Sequence, residues 1–202
     1  MNSLRITTWG RQSLIVIVIL LGGLVSCDRS GSEQVVMVTD FGEISLEIYS
    51  GQAPLTASNF LSLVERGIYS NACFYRVVRM DNQPGNQVRI EVIQGGLFED
   101  SLVSIHPTIA HENTGSTGIL HTDGVISMAR NEPGSASTEF FICIGDQPSL
   151  DYGGERNPDG RGFAAFGKVT GGMDVVRKIQ SLPDSGQYLL DRVRILEMSI
   201  IR

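Results

Sequence analysis

Short strand-like segments separated by glycine and proline dominate the sequence and limit the folds that it can adopt. The 202 residues include 23 glycines and 7 prolines. In segment 43–49, Ile44, Leu46 and Ile48 alternate with polar residues, which is the period of a half-buried strand. Many short strands with few helices predict a mainly β domain, either a closed barrel or a sandwich. The predicted strands are 35–38, 43–49, 74–78, 88–94, 125–129, 140–144, 164–169 and 192–200.

Two segments depart from this pattern and predict helices. The first begins at Pro54 and ends at Gly67, and the second covers 173–179 and is stopped by Pro183. No internal repeat or second linker is visible, so we expect one domain, residues 35–202. The apolar face of the first helix recurs at i, i+3, i+4 and i+7 and consists of Ala57, Phe60, Leu61 and Val64.

The first 26 residues have the composition of a secretory signal peptide. Arg5 and Arg11 precede the unbroken apolar run 14–21, and small residues follow it. The run is too short for a transmembrane helix, which needs about 20 apolar residues. A buried N-terminal helix is disfavoured because the run has no polar face. We therefore expect residues 1–26 to be a signal peptide.

Residues 24–27, Leu-Val-Ser-Cys, resemble the lipobox of bacterial lipoproteins. The resemblance implies cleavage before Cys27 and attachment of diacylglycerol to its sulfur. We therefore expect an exported protein that is lipid-anchored in the bacterial cell envelope and faces the periplasm. Residues 27–34 would then comprise the lipidated cysteine and a short tether. Asp28 resembles the inner-membrane retention signal of some Gram-negative bacteria, and the choice between inner and outer membrane stays open.

The sequence predicts no nucleic-acid partner, no metal and no cofactor. Sixteen Lys and Arg against 22 Asp and Glu give a formal net charge of −6, which does not suit a nucleic-acid surface. The spacings of His106, His111 and His121 match no tight pair of metal ligands. Residues 162–168 match the pattern GxxxxGK, but Val169 follows where a Mg²⁺-binding Ser or Thr is required.

Two cysteines remain beyond the signal segment. Cys73 and Cys143 both lie inside apolar, strand-like runs. We expect buried free thiols, the commoner state of such cysteines. An exported protein could also oxidise the pair to a disulfide, so that alternative stays open.

An ordered series of motifs resembles the cyclophilin-type peptidyl-prolyl cis/trans isomerases. Each piece is weak alone, and the specificity lies in their order from about residue 35 to the end of the chain. The resemblance implies an eight-stranded antiparallel closed barrel capped by two α-helices, with isomerase activity on proline-containing polypeptides and no cofactor. We further expect a monomer. The matching segments are 53–56, 59–61, 74–78, 93–96, 120–122, 126–130, 140–143, 150–151, 166–169 and 172–176.

Prolyl isomerisation places particular demands on a catalyst. The peptide bond resists rotation with a barrier of about 18–20 kcal/mol, because twisting breaks the amide conjugation. A catalyst must hold the proline ring in a dry pocket, grip the flanking backbone and favour the twisted state. A fixed cation that hydrogen-bonds the freed lone pair of the prolyl nitrogen stabilises that state, and an arginine suits this task.

The resemblance assigns these tasks to particular side chains. Arg76 matches the family's catalytic arginine, although strand periodicity alone favours an exposed arginine in a salt bridge. Gln94 matches the glutamine that hydrogen-bonds the substrate carbonyl. Phe141 matches the floor of the proline pocket, with Val92 and Leu150 as its walls. Sequence patterning alone would make these three apolar residues plain core positions.

Four further residues complete the expected site. Ala129 and Arg130 match positions whose backbone pairs with the extended peptide, a form of strand addition. Phe163 stands where many eukaryotic members have histidine and keeps an apolar contact for the proline ring. Glu139 replaces a usual glutamine beside the arginine, and its carboxylate could orient Arg76 or partly neutralise it.

An insertion separates this chain from the family pattern. Residues 79–90 replace a short Pro-Gly turn, and Glu91 stands where an aromatic pocket wall is usual. Either the insertion supplies another wall or the pocket is more open. Ser149 stands where many eukaryotic members have tryptophan, which implies weak cyclosporin binding.

The first hypothesis is an isomerase that assists the folding of exported proteins. The alternative is a weakly active or inactive chaperone or scaffold that binds proline peptides.

Overall fold

The computed structural model describes residues 31–201, and their strands form one antiparallel sheet that closes into a barrel. The strands are β1 (Glu33–Thr39), β2 (Gly42–Ile48), β3 (Cys73–Val78), β4 (Val92–Gly96), β5 (Val125–Met128), β6 (Phe140–Cys143), β7 (Ala164–Gly171), β8 (Asp184–Ser185) and β9 (Tyr188–Ile201). They follow the order β1-β2-β7-β5-β6-β4-β3-β9, and β9 returns to pair with β1. The two residues of β8 pair only with β9, outside this ring of eight strands. The predicted signal peptide and Cys27 lie outside the described residues.

The hairpin of β1 and β2 shows how the alternating sequence builds the barrel wall. Val35 and Met37 on β1 are fully buried, and so are Ile44, Leu46 and Ile48 on β2. The ladder pairs Val35 with Leu46 and Met37 with Ile44. Because alternate side chains point to opposite faces of a strand, both apolar rows face the interior.

The two predicted helices form and pack against the barrel. The helices are α1 (Pro54–Glu65), α2 (Asp100–Val103), α3 (Thr114–Thr117) and α4 (Met173–Gln180). α1 contacts β7 and β9, and α4 contacts β2, β3 and β4. On α1 the buried face includes Phe60, Leu63 and Val64, whereas Leu61 is half-buried. The one-turn helices α2 and α3 were not predicted, because four residues are too short for a helical period to show.

Aromatic rings fill part of the barrel interior. Phe60 on α1 lies 5.0–5.9 Å, centroid to centroid, from Tyr69, Phe140 and Phe166. The Tyr69 hydroxyl donates a hydrogen bond of 3.0 Å to the Thr138 carbonyl, which satisfies its buried polar atom. This packing fixes β6 against α1.

A second, smaller apolar cluster lies on the other face of β4 and β6. Phe140 and Ile142 belong to the barrel core, while Phe141 and Cys143, which alternate with them, belong to this second cluster. Sequence alternation therefore divides β6 between core and cleft. The buried members of the cluster are Val78, Ile90, Val92, Phe141, Cys143 and Leu150, with Ala129 and Phe163 packed against them.

The structure confirms the eight-stranded antiparallel closed barrel and decides against a sandwich. Two predicted strand starts are wrong by four residues. β4 begins at Val92, not at 88, because residues 88–90 belong to the insertion and Glu91 also precedes the strand, and β9 begins at Tyr188, not at 192. The other predicted strand limits lie within two residues of the observed ones. Cys73 is half-buried and Cys143 is buried, and both are free thiols as predicted. Within residues 31–201, no helix has the length and apolar character that crossing a membrane requires.

Candidate functional site

A cleft of about 810 Å³ lies over the second apolar cluster. It brings together every side chain that the sequence assigned to the site, although these come from β3, β4, β6 and several loops. The strand alternation of the fold thus places polar and apolar site residues on one surface. The assigned residues that line the cleft are Arg76, Val92, Gln94, Ala129, Arg130, Glu139, Phe141, Leu150 and Phe163.

Phe141 forms the apolar floor and is held from two sides. Phe163 meets it edge-on, with ring centroids 5.3 Å apart and planes at 89°. His121 stacks on it at 5.9 Å with planes at 16°. The His121 ring is itself fixed by the Asp151 carboxylate at 2.7 Å and the Ser127 hydroxyl at 3.0 Å. This histidine therefore supports the pocket floor.

The insertion supplies a wall of the pocket. Ile90 is buried, lines the cleft and belongs to the same cluster as Phe141. Gln83, whose exposed fraction is only 1%, fixes it by donating to the Ile90 carbonyl at 2.8 Å and accepting from its N–H at 3.2 Å. Glu91 is not among the residues that line the cleft. Of the two possibilities raised by the insertion, the structure therefore favours another wall over a more open pocket.

Arg76 lies at the polar edge of the pocket, between two neutral amides. Its Nη1 donates to Gln94 Oε1 at 2.9 Å, and its Nη2 and Nε donate to Gln187 Oε1 at 2.6 and 3.1 Å. No salt bridge links it to a carboxylate within residues 31–201. Burial lowers the pKa of Arg76, an effect that Tyr188 and Tyr75 oppose. The guanidinium is thus fixed in place without being neutralised.

A chain of hydrogen bonds connects Arg76 to Glu139. Gln94, which accepts from Arg76, donates through Nε2 to the Tyr75 hydroxyl at 2.7 Å. The Tyr75 hydroxyl in turn donates to Glu139 Oε2 at 2.5 Å. The carboxylate therefore does not contact the arginine. A direct orienting or neutralising role would require such a contact. Its link to Arg76 runs through two intervening side chains.

Glu139 also organises the turn that follows β4. It accepts hydrogen bonds from the Leu97 and Phe98 N–H groups at 2.6 and 3.3 Å and from the Thr138 hydroxyl at 3.3 Å. Phe98 has a φ of 65°, and Gly96 has a φ of 148° at a point where a Cβ would collide with the Glu139 carboxylate. Burial raises the pKa of Glu139, and the donated hydrogen bonds oppose that shift.

The two residues assigned to peptide pairing are partly committed within the fold. The Ala129 N–H donates to the Glu139 carbonyl at 2.8 Å, so this donor is not available for pairing with a peptide. The Arg130 guanidinium forms two hydrogen bonds of 2.8 and 3.0 Å with Asp159 and lies 5.1 Å from the Phe163 ring centroid. The Arg130 side chain is therefore part of the frame around Phe163.

Gln187, which sequence reasoning missed, holds Arg76 from the turn between β8 and β9. Asp184 fixes this turn by accepting from the Gln187 N–H at 2.9 Å, and it joins the turn to the insertion through Arg79 and Asn82. Gln187 Nε2 also donates to the Asn82 carbonyl at 3.1 Å. Asp184-Ser185-Gly186 is a recognisable turn signal, but no local pattern connects it with an arginine 111 residues away.

Comparison with known sequences identifies the family. The family model described as cyclophilin type peptidyl-prolyl cis-trans isomerase/CLD matches residues 34–200. A protein of Acinetobacter baylyi named peptidyl-prolyl cis-trans isomerase is 36% identical over 171 residues, which cover 84% of each chain. Peptidyl-prolyl cis-trans isomerase B of Escherichia coli is 34% identical over 145 residues, or 71% of this chain and 82% of the relative.

A solved structure shares the fold at lower sequence identity. A cyclophilin type peptidyl-prolyl cis-trans isomerase of Cryptosporidium parvum superimposes with a TM-score of 0.66 and 21% identity, covering 85% of this chain and 98% of that one. The barrel, the match over residues 34–200 and the relatives above 30% identity agree. This chain belongs to the cyclophilin-type peptidyl-prolyl cis-trans isomerase family.

Proposed function

We propose that this chain catalyses peptidyl-prolyl cis/trans isomerisation on exported proteins, with Arg76 as the catalytic residue. The observation that carries the proposal is the uncompensated Arg76 guanidinium at the edge of an apolar pocket, between the Gln94 and Gln187 amides. The activity is also supported by the names of the relatives, which are peptidyl-prolyl cis-trans isomerases.

The pocket is suited to seating a proline ring. Phe141 provides an aromatic floor, and Ile90, Val92 and Leu150 provide aliphatic walls. A pyrrolidine ring that binds in this pocket is removed from water, which favours binding. Electrostatic interactions with the amide are also stronger in a drier site. Binding there also places the amide nitrogen next to the polar edge that Arg76 occupies.

Arg76 has donors to spare for the twisted amide. A guanidinium carries five N–H donors, and three of them are used by Gln94 and Gln187. The two remaining N–H groups can donate to the prolyl nitrogen, whose lone pair becomes an acceptor only when conjugation is broken. The interaction therefore lowers the energy of the transition state more than that of either ground state.

Gln94 serves both the arginine and the substrate in this mechanism. Its Oε1 accepts from Arg76, and one hydrogen of its Nε2 goes to the Tyr75 hydroxyl. The second hydrogen of Nε2 is free to donate to a substrate carbonyl. That bond would hold the peptide flanking the proline while the amide rotates.

The activity can be tested with residues 28–202, which contain the whole closed barrel. We expect this fragment to accelerate cis/trans exchange in an Ala-Pro peptide, measured by NMR exchange spectroscopy. Arg76→Ala should lower kcat/KM about 100-fold, as expected for removal of one preorganised transition-state donor. Arg177→Ala removes an exposed arginine that pairs with Asp123 and should keep wild-type activity. Chemical-shift changes at Phe141 without any exchange enhancement would favour the non-catalytic binding module instead.

Lipid anchoring at Cys27 and an exported location are the second part of the proposal. They are supported by the Leu-Val-Ser-Cys sequence at 24–27 after an apolar run. The Gly31 carbonyl accepts from the Gly51 N–H at 2.6 Å, so only residues 27–30 would separate the lipid from the folded domain. Four extended residues span about 14 Å, which would keep the folded domain close to the membrane surface. We expect labelled palmitate to be incorporated into the full chain and lost in Cys27→Ser; label that persists in this variant would refute anchoring there.

A further inference from the structure

A second guanidinium lines the cleft and has no acidic partner. Arg156 lies in the loop before β7, and its backbone N–H donates to the Ser149 carbonyl at 3.1 Å, one residue from the wall residue Leu150. Its Nη1 donates to the Val88 carbonyl at 2.7 Å and lies 3.4 Å from Gln83 Oε1. Both side-chain acceptors are neutral. Arg156 is therefore anchored to both sides of the apolar pocket while its charge stays uncompensated.

Arg76 and Arg156 act on the same cleft. Neither has a salt bridge to a carboxylate within the described part of the chain. Burial lowers the pKa of Arg156, and the positive charge of Arg76 lowers it further, as expected for two cations that share one cleft. The Nε and Nη2 groups of Arg156 make no hydrogen bond with residues 31–201, so its fork remains available to an acceptor.

Two of the three acidic residues that line the cleft are occupied by other groups, and the third, Asp100, is exposed at the start of α2. Glu139 accepts from its own set of donors, and Glu99 pairs with Arg192 at 3.4 Å. Asn157, next to Arg156, also lines the cleft, and its Nδ2 is a buried donor with no partner among the described residues. Toward the cleft, this loop thus presents the donors of Arg156 and Asn157, whereas its carboxylates Glu155 and Asp159 are not among the lining residues. Such an arrangement is suited to an anion.

We propose that Arg156, together with the field of Arg76, forms a subsite that selects proline segments with a carboxylate side chain next to the proline. The inference deepens the proposed isomerase function and rests on it. Because Arg156 is tied to chain segments beside Ile90 and Leu150, a carboxylate that reaches it belongs to a residue directly flanking the seated proline. The planar guanidinium can then donate hydrogen bonds to both carboxylate oxygens.

The test compares matched peptides with Glu or Gln directly before or directly after the proline. At low ionic strength we expect kcat/KM to be about three- to fivefold higher for the Glu peptide at one of these positions, the range of a partly exposed ion pair. The preference should shrink as salt is added. Arg156→Gln should bring the Glu/Gln ratio close to one, whereas Arg156→Lys should keep part of it. Arg89→Gln, which removes an exposed arginine of the 79–90 insertion bonded to the Met80 carbonyl at 3.0 Å, should keep the wild-type ratio.

Failure of the subsite and failure of the isomerase give different results. Equal kcat/KM on Glu and Gln peptides at both positions, or a preference that persists in Arg156→Gln, would overturn the subsite while the isomerase stands. Absence of turnover on every peptide would instead overturn the proposed activity. In that case the ratio of dissociation constants for the Glu and Gln peptides, measured by NMR titration of wild type and Arg156→Gln, decides on the subsite alone.

Discussion

Glu139→Gln would change one end of the hydrogen-bond chain from a group that only accepts to one that also donates. In the wild-type chain, the carboxylate makes the Tyr75 hydroxyl donate to it, so the Tyr75 oxygen accepts from Gln94 Nε2. Gln94 Oε1 consequently faces Arg76, which can only donate. Arg76 needs an acceptor and the Tyr75 oxygen needs a donor, and a single orientation of the Gln94 amide supplies both. The substitution makes these two requirements incompatible.

With glutamine at position 139, every arrangement loses a hydrogen bond. If its oxygen keeps the Leu97 and Phe98 amides, its NH₂ meets the Tyr75 oxygen and the tyrosine O–H loses its acceptor. If the Gln94 amide flips so that its oxygen accepts from the Tyr75 hydroxyl, its NH₂ group faces Arg76. Two donors then face each other, and the hydrogen bond to Arg76 is lost. A hydrogen bond to a charged group contributes about 1.5–3 kcal/mol, and a tenfold rate change corresponds to about 1.4 kcal/mol. We therefore expect kcat/KM to fall about 10- to 100-fold, although glutamine is the usual family residue.

The free energy of unfolding should change far less than the rate. Burial raises the pKa of Glu139, which means that its ionised form is disfavoured in the folded protein. A neutral amide relieves that cost while one hydrogen bond is lost, so the two effects oppose each other. We expect urea unfolding of Glu139→Gln to stay within about 1 kcal/mol of wild type, which separates loss of positioning from loss of folding.

The assay is NMR exchange spectroscopy on an Ala-Pro peptide with wild type, Glu139→Gln, Tyr75→Phe and the double variant. Tyr75→Phe breaks the chain at its middle, so Glu139→Gln should then lower kcat/KM by less than about twofold further, since the two substitutions disrupt one network. Wild-type kcat/KM in Glu139→Gln would refute the reasoning. So would independent, multiplicative effects of the two substitutions.

Four further expectations follow from the same site. Isomerase activity should fall as pH is lowered through a midpoint above 4.5, because protonation makes Glu139 a donor, and this midpoint should be absent in Glu139→Gln. By linkage, the stability gained from protonated Glu139 is full below about pH 4.5 and is lost as pH rises through its raised pKa, which a pH series of urea unfolding measures. Gln187→Glu places a carboxylate on Arg76 and should lower kcat about tenfold with little change in peptide affinity by NMR titration. Ile90→Ala should raise KM and lower the unfolding free energy by about 2 kcal/mol in urea, because it removes a buried wall.

The sequence predicted the parts of the site that lie on strands with a clear motif. Phe141 alternates with the core residue Phe140, so its exposure to a cleft follows from strand geometry once β6 is recognised. Arg76 and Gln94 stand on neighbouring strands and are paired in the β3–β4 ladder. For these residues the family resemblance, carried by the order of the motifs, made the assignment, and strand pairing brings the side chains together. The period of two alone favours a salt-bridged arginine and core positions.

The parts that the sequence missed depend on long-range closure or on irregular loops. Gln187 reaches Arg76 only because β9 pairs with β3 across a large sequence separation. Ile90 was assigned to a strand, whereas Gln83 holds it in a loop as a pocket wall. Arg156 lies in a loop with no periodic pattern. Such contacts are set by tertiary packing, on which local propensity carries no information.

The placement of charge around Arg76 explains why amides, not carboxylates, hold it. A carboxylate bonded directly to the guanidinium would compensate its charge in the ground state and weaken its interaction with the prolyl lone pair. Gln94 and Gln187 accept its hydrogen bonds without adding negative charge. Glu139, two side chains removed, fixes the orientation of the Gln94 amide from a distance at which its Coulomb attraction is weaker, and the Asn82 carbonyl fixes that of Gln187. In a chain of net charge −6, this arrangement separates orientation from neutralisation and leaves the cation available to the rotating amide.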